Sequence, residues 1–75
     1  MIEKIKKIFS EILEVKIDEI NNEFGPDDTE MWDSMNNLRL ITAIEEEFNV
    51  RFSMNEIEEM LNFGMVLNTL NKHLK

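Results

Sequence analysis

Residues 32–48 read WDSMNNLRLITAIEEEF. Asp33 and Ser34 are residue types whose side-chain oxygens accept hydrogen bonds from the first N–H groups of a helix. They stand directly before Met35, Leu38, Ile41, Ile44 and Phe48, with Leu40 beside them, apolar residues at three- and four-residue steps. The stretch is therefore predicted as an amphipathic helix that starts at Asp33 or Ser34. Trp32, just outside that start, is placed to staple back onto the first turns through an apolar contact and so to set the angle at which the chain enters the helix.

The flanking sequence supplies three more helices. Upstream, Ile2, Ile5, Ile8, Phe9, Ile12 and Leu13 recur at helical spacing, with Glu and Lys filling the gaps. Gly25, Pro26, Asp27 and Asp28 then forbid a continuous helix, so the segment from about Lys16 to Trp32 is a long connection. Long unstructured connections are uncommon in compact domains, and Val15, Ile17, Ile20 and Phe24 are expected to pin this one across the bundle. Downstream, Ser53 with Glu56 forms a capping box for a short third helix carrying Ile57, Met60 and Leu61. Asn62 is placed to cap a fourth, with Phe63, Leu67, Leu70 and Leu74 as its stripe and Gly64 near its start. The expected fold is an all-α, small four-helix bundle with a long first loop and a short third helix. No repeat, low-complexity tract or linker divides it, so residues 1–75 are read as one domain.

Composition bounds the function. A 75-residue chain buries only about 60% of the surface it exposes when unfolded, enough for one modest core. It holds no cysteine and one histidine, so neither disulfides nor a thiolate zinc site are available as staples. The net charge is −8, with 16 acidic and 8 basic residues, which argues against a nucleic-acid backbone as ligand and for basic protein partners. The opening MIEKIKKIF alternates apolar and charged residues instead of forming the core of a signal peptide, and no stretch has the length of a membrane span. A cytoplasmic monomer with no membrane insertion is expected.

The inventory for catalysis is thin, and no catalytic residue or metal site is assigned. His73 falls in the last turn of the last helix, where a cation complements the dipole. Asp27, Asp28 and Glu30 share only their charge with a calcium loop, lacking its alternation, central glycine and closing glutamate. Met31, Met35, Met54, Met60 and Met65 are read as gap-filling core, with an adaptable binding face as the second reading. Glu45, Glu46 and Glu47 form a solvated helix face that a basic partner would recognise. Ser34 differs through its position. Beyond serving as a cap, a serine at a helix start lies in the field of unpaired N–H groups and the positive dipole end, which suits a phosphodiester on its hydroxyl.

The Asp33-Ser34-Met35 run, preceded by Trp32, resembles the signature of the acyl carrier proteins, Asp-Ser followed by Leu or Met at the start of the second helix. The resemblance covers essentially the whole chain. IEKIKKIFSEIL with Val15 and Ile20 is similar to the family's first helix and early loop, ITAIEEEFNVRFS to its second helix and the turn after it, and Ile57–Leu61 with the Phe63, Leu67, Leu70 stripe to its last two helices. The resemblance implies that a phosphopantetheinyl transferase attaches the 4′-phosphopantetheine arm of coenzyme A to Ser34. It further implies that acyl groups ride as thioesters on the arm's sulfur, and that the protein is a carrier and not an enzyme. Asp33 and Met35 would flank the attachment point, Asp33 where the transferase and its magnesium engage. Leu38, Ile41, Ile44, Met60 and Leu61 would line the crevice in which the family shelters an acyl chain. Asn36, Arg39 and Glu45 to Glu47 would form the surface met by acyl-loading and acyl-processing enzymes with basic docking surfaces.

Two departures bear on the pathway. Asn36, Asn37 and Arg39 occupy the turn after the serine, where carriers of fatty acid synthesis are acidic, and Trp32 replaces the smaller residues more usual there. A partner that reads acidic charge in that turn would find little, and the tryptophan resembles dedicated carriers of specialised biosynthetic clusters, so the implied role is a stand-alone carrier of a specialised pathway, such as polyketide, hydroxy-acid or surface-polysaccharide precursor synthesis. An aminoacyl or peptidyl carrier is the near alternative. An acidic helical interaction module without a prosthetic group, and a calcium-responsive sensor, are the alternatives from other classes.

Overall fold

The computed structural model describes residues 1–74. Four α-helices run in the order α1 (Ile2–Leu13), α2 (Ser34–Phe48), α3 (Met54–Glu59) and α4 (Phe63–Leu74), and no strand occurs among the described residues. The all-helical architecture agrees with a small helical bundle. In α1, Ile5, Phe9 and Leu13 repeat every fourth residue and are completely buried, while Ile8 and Ile12 flank them at the margin. The helix stops at Glu14, whose φ of 56° is left-handed, and the Ser10 hydroxyl donates to the Val15 carbonyl at 2.6 Å just beyond.

The connection from α1 to α2 carries two short 3-10 turns, Ile17–Glu19 and Pro26–Asp28. Its pinning is only partly apolar. Ile20 and Phe24 are buried and Val15 is half-buried, but Ile17 is exposed, because so short a turn directs one apolar side chain inward and Ile20 takes that place. The remaining attachment is through the backbone. The Phe24 and Asn22 carbonyls accept from the N–H groups of Phe63 and Gly64 at 2.8 and 2.9 Å. Asn62 Oδ1 accepts from Met65 N–H at 2.9 Å, and the Asn62 carbonyl from Val66 N–H. All four N–H groups that open α4 are thereby satisfied, two of them by the long loop. A β-carbon at Gly64 would lie 2.9 Å from the Asn22 carbonyl oxygen, so this close approach requires glycine.

Helix α2 buries Leu40, Ile41 and Ile44 and leaves Phe48 at the margin. It ends at Asn49, left-handed at φ 54°, a conformation asparagine tolerates. The capping box of α3 forms as expected: Ser53 Oγ accepts from Glu56 N–H and Glu56 Oε1 from Ser53 N–H. Within a mostly aliphatic core, aromatic rings pack against one another. Phe9 meets Trp32 and Phe63 edge-on, at centroid distances of 5.2 and 5.0 Å, and Phe24 stacks on Trp32 at 6.0 Å.

The methionines do not fill gaps in this core, apart from Met60. Met31, Met35, Met54 and Met65 are exposed. In α2 the cause is geometric. At about 100° per residue, Leu40, Ile41, Ile44 and Phe48 share one face of the helix, whereas Met35 projects nearly opposite and Leu38 well to the side. Met35 and Leu38 are accordingly 65% and 59% exposed.

Candidate functional site

Two neighbouring residues divide the work at the start of α2. Asp33 is the cap: its Oδ1 accepts from Asn36 N–H at 2.8 Å, and its carbonyl receives the Asn37 N–H. Ser34 is the first helical residue, exposed, and its hydroxyl has no hydrogen-bond partner among the described residues. A serine acting as cap would have its oxygen committed to the backbone; here Asp33 leaves that oxygen free.

The approach to the serine is held by side chains whose roles were not apparent from the sequence. Trp32 is buried and its Nε1–H donates to Asn37 Oδ1 at 2.9 Å, so the expected staple joins the expected positions by a hydrogen bond in place of an apolar contact. The apolar contacts of Trp32 go to Phe9 and Phe24. Asn36 Nδ2 donates to the Met31 carbonyl at 2.6 Å, which ties a residue assigned to the partner surface into the turn that precedes the helix. The one available signal was that a buried indole needs an acceptor, and an asparagine lies within one turn of the helix start.

Ser34 opens onto a groove of about 520 Å³ between the start of α2 and α3, lined also by Pro26, Trp32, Asp33, Asn37, Ile57, Glu58, Met60 and Leu61. The structure separates the five residues assigned to an acyl crevice. Met60 and Leu61 border the groove, Met60 buried and Leu61 63% exposed; Ile41 and Ile44 are core; Leu38 is outside. Leu38 and Leu61 therefore have no interior face. Leu38 instead joins Met35, Arg39, Thr42, Ala43 and Glu46 around a shallow depression on the outer side of α2. Arg39 lies there with its Nη2 3.9 Å from Met35 Sδ. Of the three glutamates, Glu46 and Glu47 are exposed, while Glu45 Oε2 accepts from Phe52 N–H at 2.9 Å and so secures the chain after α2.

Elsewhere, His73 Nε2 lies 2.7 Å from Glu56 Oε2, and its ring is edge-on to Phe52. Asp28 Oδ2 accepts from Gly25 N–H at 2.8 Å, a structural use within the acidic loop. No group of three or more potential metal ligands gathers among the described residues. No helix among them is long and apolar enough to cross a membrane.

An exposed, uncommitted hydroxyl at the head of a fifteen-residue helix suits a phosphodiester. The first two N–H groups of the helix, on Ser34 and Met35, have no intrahelical acceptor, and the positive dipole end favours the phosphate charge. A groove partly floored by apolar side chains adjoins it. Comparison with known proteins agrees. The family described as "Phosphopantetheine attachment site" matches residues 3–70. An acyl carrier protein of Buchnera aphidicola from Schizaphis graminum is 42% identical over 57 residues, covering 76% of this chain and 72% of the relative. Another, of Buchnera aphidicola from Acyrthosiphon pisum, is 36% identical over 74 residues, covering 97% and 92%.

The chain belongs to the acyl carrier protein family. Its cofactor is 4′-phosphopantetheine, and its task is carriage, not catalysis. This sets aside the readings as a prosthetic-group-free interaction module and as a calcium sensor. The absence of cysteine accords with the family's chemistry, because the thiol that bears the acyl group belongs to the prosthetic arm.

Proposed function

We propose that Ser34 is the residue that bears the arm, through a phosphodiester on its Oγ. The observation that carries this reading is the division between the capping Asp33 and the exposed, unpartnered Ser34 hydroxyl. The arm supplies a thiol on which acyl groups are held as thioesters. The residues of this chain do the rest. Asp33 fixes the helix start and presents a carboxylate beside the serine, where a phosphopantetheinyl transferase and its magnesium engage. Met35 comes next on the exposed side, and Trp32 and Met60 floor the groove next to the attachment point.

The carrier serves a specialised pathway in the cytoplasm, as a monomer that loading and processing enzymes visit in turn. Support comes from the outer face of α2. The turn after Ser34 presents Met35, Leu38 and Arg39 and no carboxylate, while Glu46 and Glu47 lie two to three turns further on. A docking enzyme would place its basic groups against that far end and an apolar surface near the serine.

The test is the intact mass of the chain before and after incubation with coenzyme A, magnesium and a promiscuous phosphopantetheinyl transferase. One phosphopantetheine adduct on the wild type and none on a folded Ser34→Ala variant is expected. Loading of that variant would show that another residue bears the arm.

A further inference from the structure

Trp32 shares with Ser34 the lining of the groove at the start of α2, and its side chain is buried. The indole is 5% exposed and is fixed on three sides: edge-on to Phe9 at 88°, stacked on Phe24 at 26°, and hydrogen-bonded to Asn37. Phe9 is fixed in turn by Phe63. Ile41 and Ile44 are buried in the same core. A methylene chain entering the core from the groove on the Trp32 side, as opposed to past the flexible Met60, would have to move a rigid ring. That would break the Trp32–Asn37 bond and leave a buried N–H unpaired, in addition to losing two aromatic contacts. Flexible leucine or methionine side chains, by contrast, yield by changing rotamer. The groove beside Ser34 has an apolar side, Pro26, Ile57 and Leu61, but it is open to solvent, with Asp33, Asn37 and Glu58 also along it, and does not enclose an aliphatic chain.

We infer that this carrier takes short acyl groups and leaves them outside its core, with Trp32 as the plug that closes the interior to long aliphatic chains. The inference rests on attachment at Ser34. Sheltered cargo would add buried apolar surface with each methylene, so the folded state would be stabilised in step with chain length. Cargo left in the groove or in solvent stabilises nothing of the kind.

The experiment loads the full chain from butanoyl-, octanoyl- and hexadecanoyl-coenzyme A with a promiscuous transferase. Melting temperatures are then recorded, along with the NMR signals of the Trp32 indole N–H and the Ile41 and Ile44 methyl groups. The expected result is one melting temperature across the series and signals that do not move with chain length. Trp32→Leu, which removes ring volume while keeping an apolar side chain, is expected to acquire a melting temperature that climbs with chain length. A wild-type melting temperature that climbs, with moving Trp32 and Ile44 signals, overturns the inference while leaving the Ser34 adduct in place. A folded Trp32→Leu variant that stays flat overturns the role of Trp32 as the plug. If that variant does not fold, the wild-type series decides alone. A folded wild type that gains no mass overturns the attachment reading, and the inference falls with it.

Discussion

At Asp33 and Ser34 the same two residue types that mark a helix start in the sequence turn out to hold separate functions. Because Asp33 makes the capping bond, Asp33→Ala should lower stability by about 1 kcal/mol, within the usual 0.5–2 kcal/mol for a lost cap, and Ser34→Ala should cost much less. Urea unfolding of the two variants checks the order, and equal losses would mean that both side chains cap. Glu56 links its own capping box to α4. Its carboxyl is held below the ordinary 4.5, first by the Ser53 N–H it accepts; desolvation comes next and opposes the lowering, and the contact with His73 adds to it. A carboxylate with a lowered folded pKa stabilises fully above 4.5 and loses that contribution as pH falls through the folded value. Wild type should therefore exceed Glu56→Gln in melting temperature near neutrality and converge with it in acid; a difference constant with pH would contradict this. Ser53 and Glu56 stand three residues apart and are legible as a pair. His73 is 17 residues from Glu56, and nothing local joins them.

Among the elements, the helix starts are the most legible feature, because a cap and the N–H it serves are neighbours in the chain. Asp33, Ser53 and Asn62 all accept the bonds expected of them. The faces are less so. Helix α2 has apolar residues on two sides: three-residue steps draw Met35 and Leu38 into one stripe with Ile41, whereas a turn of about 100° per residue separates them, and it is the face with Leu40, Ile41 and Ile44 that is buried. The long loop is attached to α4 by carbonyls, which leave no trace in side-chain pattern. Gly64→Ala tests that attachment. Helix propensity alone would favour alanine by about 1 kcal/mol. The new methyl, however, would meet the Asn22 carbonyl at 2.9 Å, and overpacking of this kind costs about 1–3 kcal/mol. Net destabilisation is expected, with faster amide exchange at Phe63 and Gly64; a more stable variant would show that the loop yields freely.

The whole molecule concentrates charge of one sign in a small volume. Its radius of gyration is 11.1 Å, close to the ~11 Å typical of a folded chain of this length, and it carries a net −8 in which, among the described residues, a single carboxylate contacts a basic side chain, Glu56 with His73. The Debye length at 0.1 M salt is about 10 Å, so moderate salt screens charges across the molecule. The melting temperature should rise from low to moderate sodium chloride, and relief of about 1 kcal/mol would raise it by roughly 4–8 °C at this size. A melting temperature indifferent to salt would show that self-repulsion is negligible. The all-helical class, the helix starts and the placing of a serine at the head of α2 were determined by the sequence itself, since each depends on residues within a few positions of one another. Tertiary structure alone decided which face of α2 turns inward, that Asp33 and not Ser34 is the cap, that the loop's carbonyls open α4, and that Trp32 is buried against Phe9 and Phe24 beside the serine's groove. Those outcomes depend on which surfaces meet across the bundle, and a one-dimensional pattern records the preference of each residue without recording the partner that satisfies it.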